Sequence, residues 1–199
     1  MFRDARGPLY EFLKEIGRDM SDCGQRTPLG HFSEILRDSS TSVGMTQNWL
    51  VAHLNELVDD DFDLLARSTT KFSIVHCPRS HENFGHSPFQ FHKLRKVGFN
   101  VCLGTDSLAS NEDLSLFGEL RAFQKKFPNV SPEEVLKMVT VNGARALGQE
   151  TVLGKIRSGF LADVVATPCA GSTSALEEIV AFDRPVSWSM VSGQVQNSA

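Results

Sequence analysis

Three short apolar runs, each closing on residues able to do chemistry, recur along this sequence with amphipathic segments between them. Trp49-Leu50-Val51-Ala52-His53-Leu54, Lys71-Phe72-Ser73-Ile74-Val75-His76-Cys77 and Asn100-Val101-Cys102-Leu103-Gly104 read as strands. Their apolar character is that of parallel strands covered on both faces. Helical spacing follows the first from about Asp59 to Arg67 and the second from Phe89 to Val97. Strands alternating with helices predict a parallel α/β sheet. In such folds ligand-binding and catalytic groups collect at the carboxyl ends of the strands. The sequence places His53 with Asn55 there, His76 with Cys77-Pro78-Arg79-Ser80-His81, and Thr105-Asp106-Ser107.

The flanks frame this pattern. Leu9, Phe12, Leu13 and Ile16 fall at helical spacing, with Pro8 suited to a first turn and Gly17 to a C-terminal cap. Ser131-Pro132-Glu133-Glu134 has the form of a capping box opening the helical segment Val135–Val139. Thr140 to Leu147 continues as a second helical piece, stopped by Gly148. From about residue 150 the character changes: Gly154, Gly159 and Gly171 punctuate short Val-rich stretches at 163–166 and 186–191, which read as a small β appendage. The expected organisation is an α/β portion over 1–149 and a small β segment over 150–199. At 199 residues the chain is shorter than the roughly 250 of a complete (β/α)8 barrel.

Composition narrows the function classes. A net charge of −4 offers no broad attraction to a phosphate backbone or an anionic membrane, so neither nucleic acid nor membrane is expected as a partner. No apolar stretch approaches the ~20 residues that span a bilayer, and the start lacks the apolar core of a secretory signal. The expected location is the cytoplasm. Cys23, Cys77, Cys102 and Cys169 lie far apart without a C-x-x-C pair and read as reduced thiols. Motifs for dinucleotide binding, P-loop hydrolysis and a nucleophile elbow do not occur.

His53, His76 and Asp106 can converge if their strands are neighbours, since parallel strands lie ~4.8 Å apart. Imidazole and carboxylate suit zinc or iron, and they also move protons around an activated water. A lone histidine on an apolar strand is more often a buried or rim residue; with three strand ends in register that reading and a functional site stand on equal terms. In Gly104-Thr105-Asp106 the glycine permits a tight turn and leaves Asp106 at the mouth as ligand or base. Pro78 reads as the stop of its strand. For Arg79 the readings are substrate contact, or a structural role that caps a helix or pairs with an acid. His81 is expected at substrate and His92 at the surface. His31 lies in Thr27-Pro28-Leu29-Gly30-His31-Phe32, which reads as a loop.

Taken in order, Val51-Ala52-His53, Val75-His76-Cys77-Pro78-Arg79-Ser80, the run Gly98–Asp106, the run Thr140–Gly148, and Gly154-Lys155-Ile156 with Gly159 and Ala162-Asp163 closely resemble the amidohydrolase superfamily. The resemblance is to its cytosine deaminase-like and chlorohydrolase-like branch. His76–His81 with Phe84-Gly85-His86 looks most like members grouped with aminofutalosine-type deaminases. The resemblance implies a distorted (β/α)8 barrel, of which this chain would hold about the last three βα units, with one divalent metal, zinc or iron, at the mouth. His53 matches the histidine ending the sixth strand, which orients water and substrate. Asp106 matches the eighth-strand aspartate, a metal ligand that also takes the water's proton. Arg79, Ser80 and His81, with His76 beside them, fall where the loop after the seventh strand meets substrate; His81 departs from the family's usual Asn.

The family's first-strand His-x-His pair, and the fifth-strand histidine with its glutamate, have no counterpart here. The implied protein is a metal-dependent hydrolase that deaminates an amino-substituted heterocycle of purine, pyrimidine or triazine type. This chain would be its carboxyl-terminal part, completed by a missing N-terminal half or a homo-oligomer partner, and inactive and metal-poor alone. Two alternatives stand beside it: a non-catalytic fragment or subunit, and a small-molecule binding module using Arg79 and His81.

Overall fold

The computed structural model describes residues 3–37, 49–68, 71–171 and 174–196. The chain divides into two compact units, residues 1–46 with 57–70, and 47–56 with 71–199.

The first unit is helical. In α1 (Pro8–Glu15) the proline sits in the first turn, and Gly17 just beyond takes a left-handed φ of +83°. Leu9, Phe12 and Ile16 form the expected stripe, but it is exposed and the helix buries none of its residues. The segment read as a loop around His31 is instead helix α2 (Pro28–Arg37). Its signal is the Thr-Pro pair: the Thr27 hydroxyl accepts from the Gly30 N–H at 3.0 Å, and proline suits the next position. Helix α3 (Asp59–Arg67) spans the expected residues and opens on three aspartates, favourable at a positive helix end. The buried Asp61 carboxylate accepts from the Val58 N–H at 3.0 Å and from the Thr27 hydroxyl.

In the second unit, β1 (Leu50–Ala52), β2 (Ser73–His76) and β3 (Asn100–Leu103) form a parallel sheet in the order β1-β2-β3. Ala52 is in register with Val75, and His76 with Leu103. After β2 come α4 (Pro78–Asn83) and α5 (Phe91–Lys96); after β3 come α6 (Leu116–Lys126), α7 (Pro132–Val139) and α8 (Val141–Ala146). Strands β4 (Val164–Ala166), β5 (Trp188–Val191) and β6 (Gln194–Gln196) form a separate antiparallel sheet, with α9 (Ala175–Ala181) between β4 and β5. The chain is thus mixed α/β, with two three-stranded sheets and no closed barrel among the described residues.

Several expectations are corrected here. Two-sided cover holds for β2 and β3 but not for β1, whose Leu50 is 44% exposed and whose Ala52 is exposed too. β2 does stop before Pro78, at His76, but the proline also opens a helix, because a first-turn residue needs no intrahelical N–H bond. Ser131 caps α7 as expected, accepting from the Glu134 N–H at 3.3 Å, but the Glu134 carboxylate pairs with Arg95 instead of reaching back. Helices α6 and α9 and strand β6 are additions to the elements expected from the sequence. The core runs through Ile74, Leu94, Leu120, Phe123, Val135 and Met138. All four cysteines are free, and burial pushes the Cys77 and Cys102 thiols up to about 11, which leaves them protonated and unreactive. Among the described residues no helix is long and apolar enough to cross a membrane.

Candidate active site

The site is built at the carboxyl ends of the parallel sheet. Past β1 the chain turns sharply: His53 and Leu54 take positive φ of 68° and 51°, while the His53 N–H still donates to the Val75 carbonyl at 2.8 Å. Past β3 a third non-glycine residue, Asp106, is left-handed at φ +59°. Such conformations cost on the order of 1 kcal/mol or more and persist where their surroundings enforce them. Both therefore mark places where side-chain direction is imposed. Gly104 has a different reason from the one expected. A Cβ there would meet Val75 Cγ1 at 2.8 Å, so the glycine serves close strand packing, and Asp106 makes the turn itself.

Asp106 is held by its neighbours. Ser80 Oγ donates to its Oδ2 at 2.7 Å and Ser110 Oγ at 2.9 Å, while His53 Nε2 lies 3.8 Å from the same oxygen. These two hydroxyls, more than the imidazole, hold the Asp106 carboxyl below its usual range, so it is ionised at neutral pH. Its side chain is 28% accessible, enough to meet a water or a substrate.

Arg79 is occupied by acids. Its Nε donates to Glu119 Oε1 at 2.7 Å and its backbone N–H to Glu119 Oε2 at 3.0 Å. Nη2 donates to Asp113 Oδ1 at 2.5 Å and to the Asp113 carbonyl at 3.0 Å. Of the readings open for Arg79, pairing with acids is the one its contacts realise. Gly118 allows it, since a Cβ there would fall 2.8 Å from the guanidinium carbon.

His76 and His81 meet elsewhere, with ring centroids 5.2 Å apart. Together with Pro78, Phe89, Phe123 and Phe127 they line a cavity of about 330 Å³ that neither His53 nor Asp106 reaches. His76 is 3% exposed and stacks on Phe89 at 3.8 Å, and its Nδ1 has no hydrogen-bond partner. Burial first, then the neighbouring His81 and His53, lower its pKa to about 3, so it is neutral. His81 Nδ1 lies 3.0 Å from Asn55 Oδ1, and burial lowers its pKa too. His92 is exposed, as expected.

The structure thus brings His53, Ser80 and Asp106 together, sets His76 and His81 in an adjacent cavity, and ties Arg79 to Glu119 and Asp113. Sequence reading missed Ser110, Asn111 and Glu119. Glu119 did carry a signal: it is the one acid in Leu116-Phe117-Gly118-Glu119-Leu120, on the stripe shared with Leu120 and Phe123. Among the described residues no group of three or more His, Cys, Asp or Glu side chains is placed to hold a metal ion.

The model of the amidohydrolase family matches residues 29–195. A 5-methylthioadenosine/S-adenosylhomocysteine deaminase of Syntrophobacter fumaroxidans is 36% identical over 165 residues, 79% of this chain and 35% of that protein. A crystal structure of an adenosine deaminase from Xanthomonas campestris with bound zinc superposes with a TM-score of 0.67 at 25% identity, covering 76% of this chain and 37% of that one. Aminofutalosine deaminase of Helicobacter pylori superposes with a TM-score of 0.77 at 20% identity, covering 98% of this chain and 48% of that one. The chain spans about a third of the length of the curated relatives it matches.

Proposed function

Because the chain belongs to the amidohydrolase family, we propose that it carries the Asp106–His53 part of a hydrolytic deaminase site acting on an amino-substituted heterocycle. The observation that carries this reading is the approach of the two side chains, 3.8 Å apart, at the ends of β1 and β3, both on left-handed backbone. An ionised carboxylate can accept a proton from a water that attacks the ring carbon bearing the amino group. The imidazole is close enough to orient that water and to share the proton. The C–N bond then breaks, the nitrogen takes the proton, and ammonia leaves. The relative from Syntrophobacter fumaroxidans is named for 5-methylthioadenosine and S-adenosylhomocysteine, so a purine nucleoside is the favoured substrate. In this reading His81, with His76 behind it, contacts substrate from the adjoining cavity. Arg79 and Ser80 act through the acids they hold.

A divalent zinc or iron ion, as the family implies, does not fit the described residues alone. Asp106 and His53 offer two donors, whereas such an ion takes about four ligands with at least three from protein. Asp106 is therefore assigned as one ligand of a site whose other donors lie in further sequence of the same protein or in another chain, as the last three βα units of a barrel would require. The second reading, a non-catalytic fragment or subunit, draws on the same shortage of donors.

Metal analysis and ammonia release separate these readings. The purified 199-residue chain should give neither stoichiometric metal nor turnover; zinc or iron at one per chain with multiple turnovers would refute the partial-site reading. In the completed protein Asp106→Asn should abolish ammonia release and deplete metal, while His53→Ala should abolish activity and keep most of the metal. Full activity in both variants would defeat the assignment.

A further inference from the structure

We propose that Glu119, working through Arg79 and Asn111, is the positioning residue that aims the Asp106 carboxylate. This rests on the reading of Asp106 as the proton-accepting group. Glu119 is 0% exposed, and its carboxylate accepts three donors: Arg79 Nε, the Arg79 backbone N–H, and Asn111 Nδ2 at 2.7 Å. The same Asn111 amide donates to the Thr105 carbonyl at 2.8 Å. That carbonyl belongs to the peptide joining Thr105 to Asp106, and the orientation of this peptide plane sets φ at Asp106, the left-handed +59°.

The two hydroxyls on Asp106 belong to the same network. Ser80 follows Arg79 in the chain, and Ser110 precedes Asn111. One buried carboxylate thus fixes the residue next to each hydroxyl and, through Asn111, the peptide before the aspartate. It joins the start of α4, the loop after β3 and the first turns of α6. A lone acid on the apolar stripe of a helix is costly unless its lone pairs are filled, and here each filled lone pair restrains the site.

The test uses Asn111, which is half-buried at the loop and can be changed without emptying the core. Asn111→Ala removes the link between Glu119 and Thr105; Asn111→Asp keeps its shape but faces the Glu119 carboxylate and the Thr105 carbonyl with an acceptor. In the 199-residue chain, amide hydrogen exchange over residues 105–111 should quicken about tenfold in Asn111→Ala and more in Asn111→Asp, with exchange in α7 and α8 unchanged. In the completed deaminase kcat should fall ~10–100-fold with KM within about twofold, and Glu119→Gln should follow the same pattern. Unchanged loop exchange in both Asn111 variants would overturn the proposal whatever the activity. So would a change in KM alone, or a drop in kcat matched by general destabilisation. If the wild-type completed protein releases no ammonia, the deaminase reading fails, and the exchange experiment still decides whether Glu119 holds the loop.

Discussion

Asp106 and His53 flank β2 from either side, yet the molecule holds them very differently. Asp106 follows a buried strand packed by α5 to α8, and two serine hydroxyls hold it within 2.9 Å. His53 follows an exposed strand, and its side chain has one charged neighbour at 3.8 Å. The carboxylate is anchored by the fold of this chain, whereas the imidazole's aim comes mainly from its backbone turn.

The largest expected effect concerns how well the β2 side is sealed. Buried neutral His76 titrates near 3 in the folded chain and near its ordinary value when unfolded. The unfolded chain therefore binds the proton first as pH falls. The stabilisation is complete above about 6.5 and is lost progressively toward about 3, with a ceiling of roughly 5 kcal/mol. Urea unfolding between pH 7 and 4 measures this loss, and His76→Phe should remove most of the slope; an unchanged slope means His76 is not sealed. Next, Glu119→Ala should cost about 3 kcal/mol, because it leaves Arg79 and Asn111 without their buried acceptor; denaturant titration reads it directly.

Smaller effects separate the two ends of the site. Ser80→Ala and Ser110→Ala should each cost about 1 kcal/mol at pH 7. Since these hydroxyls depress the carboxyl's folded pKa, that cost should persist above about 4 and vanish as pH falls through the lower folded value. His53→Ala should shift stability by no more than about 0.5 kcal/mol. If the histidine variant costs as much as the serine variants, both ends are equally braced and the contrast fails.

Much of the fold was legible because its signals are local. Apolar runs marked β1 to β3, helical spacing marked α3, and Ser131 marked the start of α7. Periodicity and capping act over a few residues, and neighbouring strands then bring polar ends together. Helix α2 is equally local: its start lies in Thr27-Pro28, a pair that suits a loop as well as a helix cap until the Gly30 N–H is seen to donate to the Thr27 hydroxyl.

The strand ends carrying His53, His76 and Asp106 were therefore decided by the sequence alone. Which partner each polar side chain took was decided by tertiary structure. Arg79 finds Glu119 across 40 residues, and Ser80 finds Asp106 across 26. Several carbonyls and carboxylates could satisfy a guanidinium equally well, and only the packing of α6 against α4 and β3 selects among them. The same packing covers β3 and leaves β1 exposed, because burial is a property of what lies opposite a strand and is not written within it.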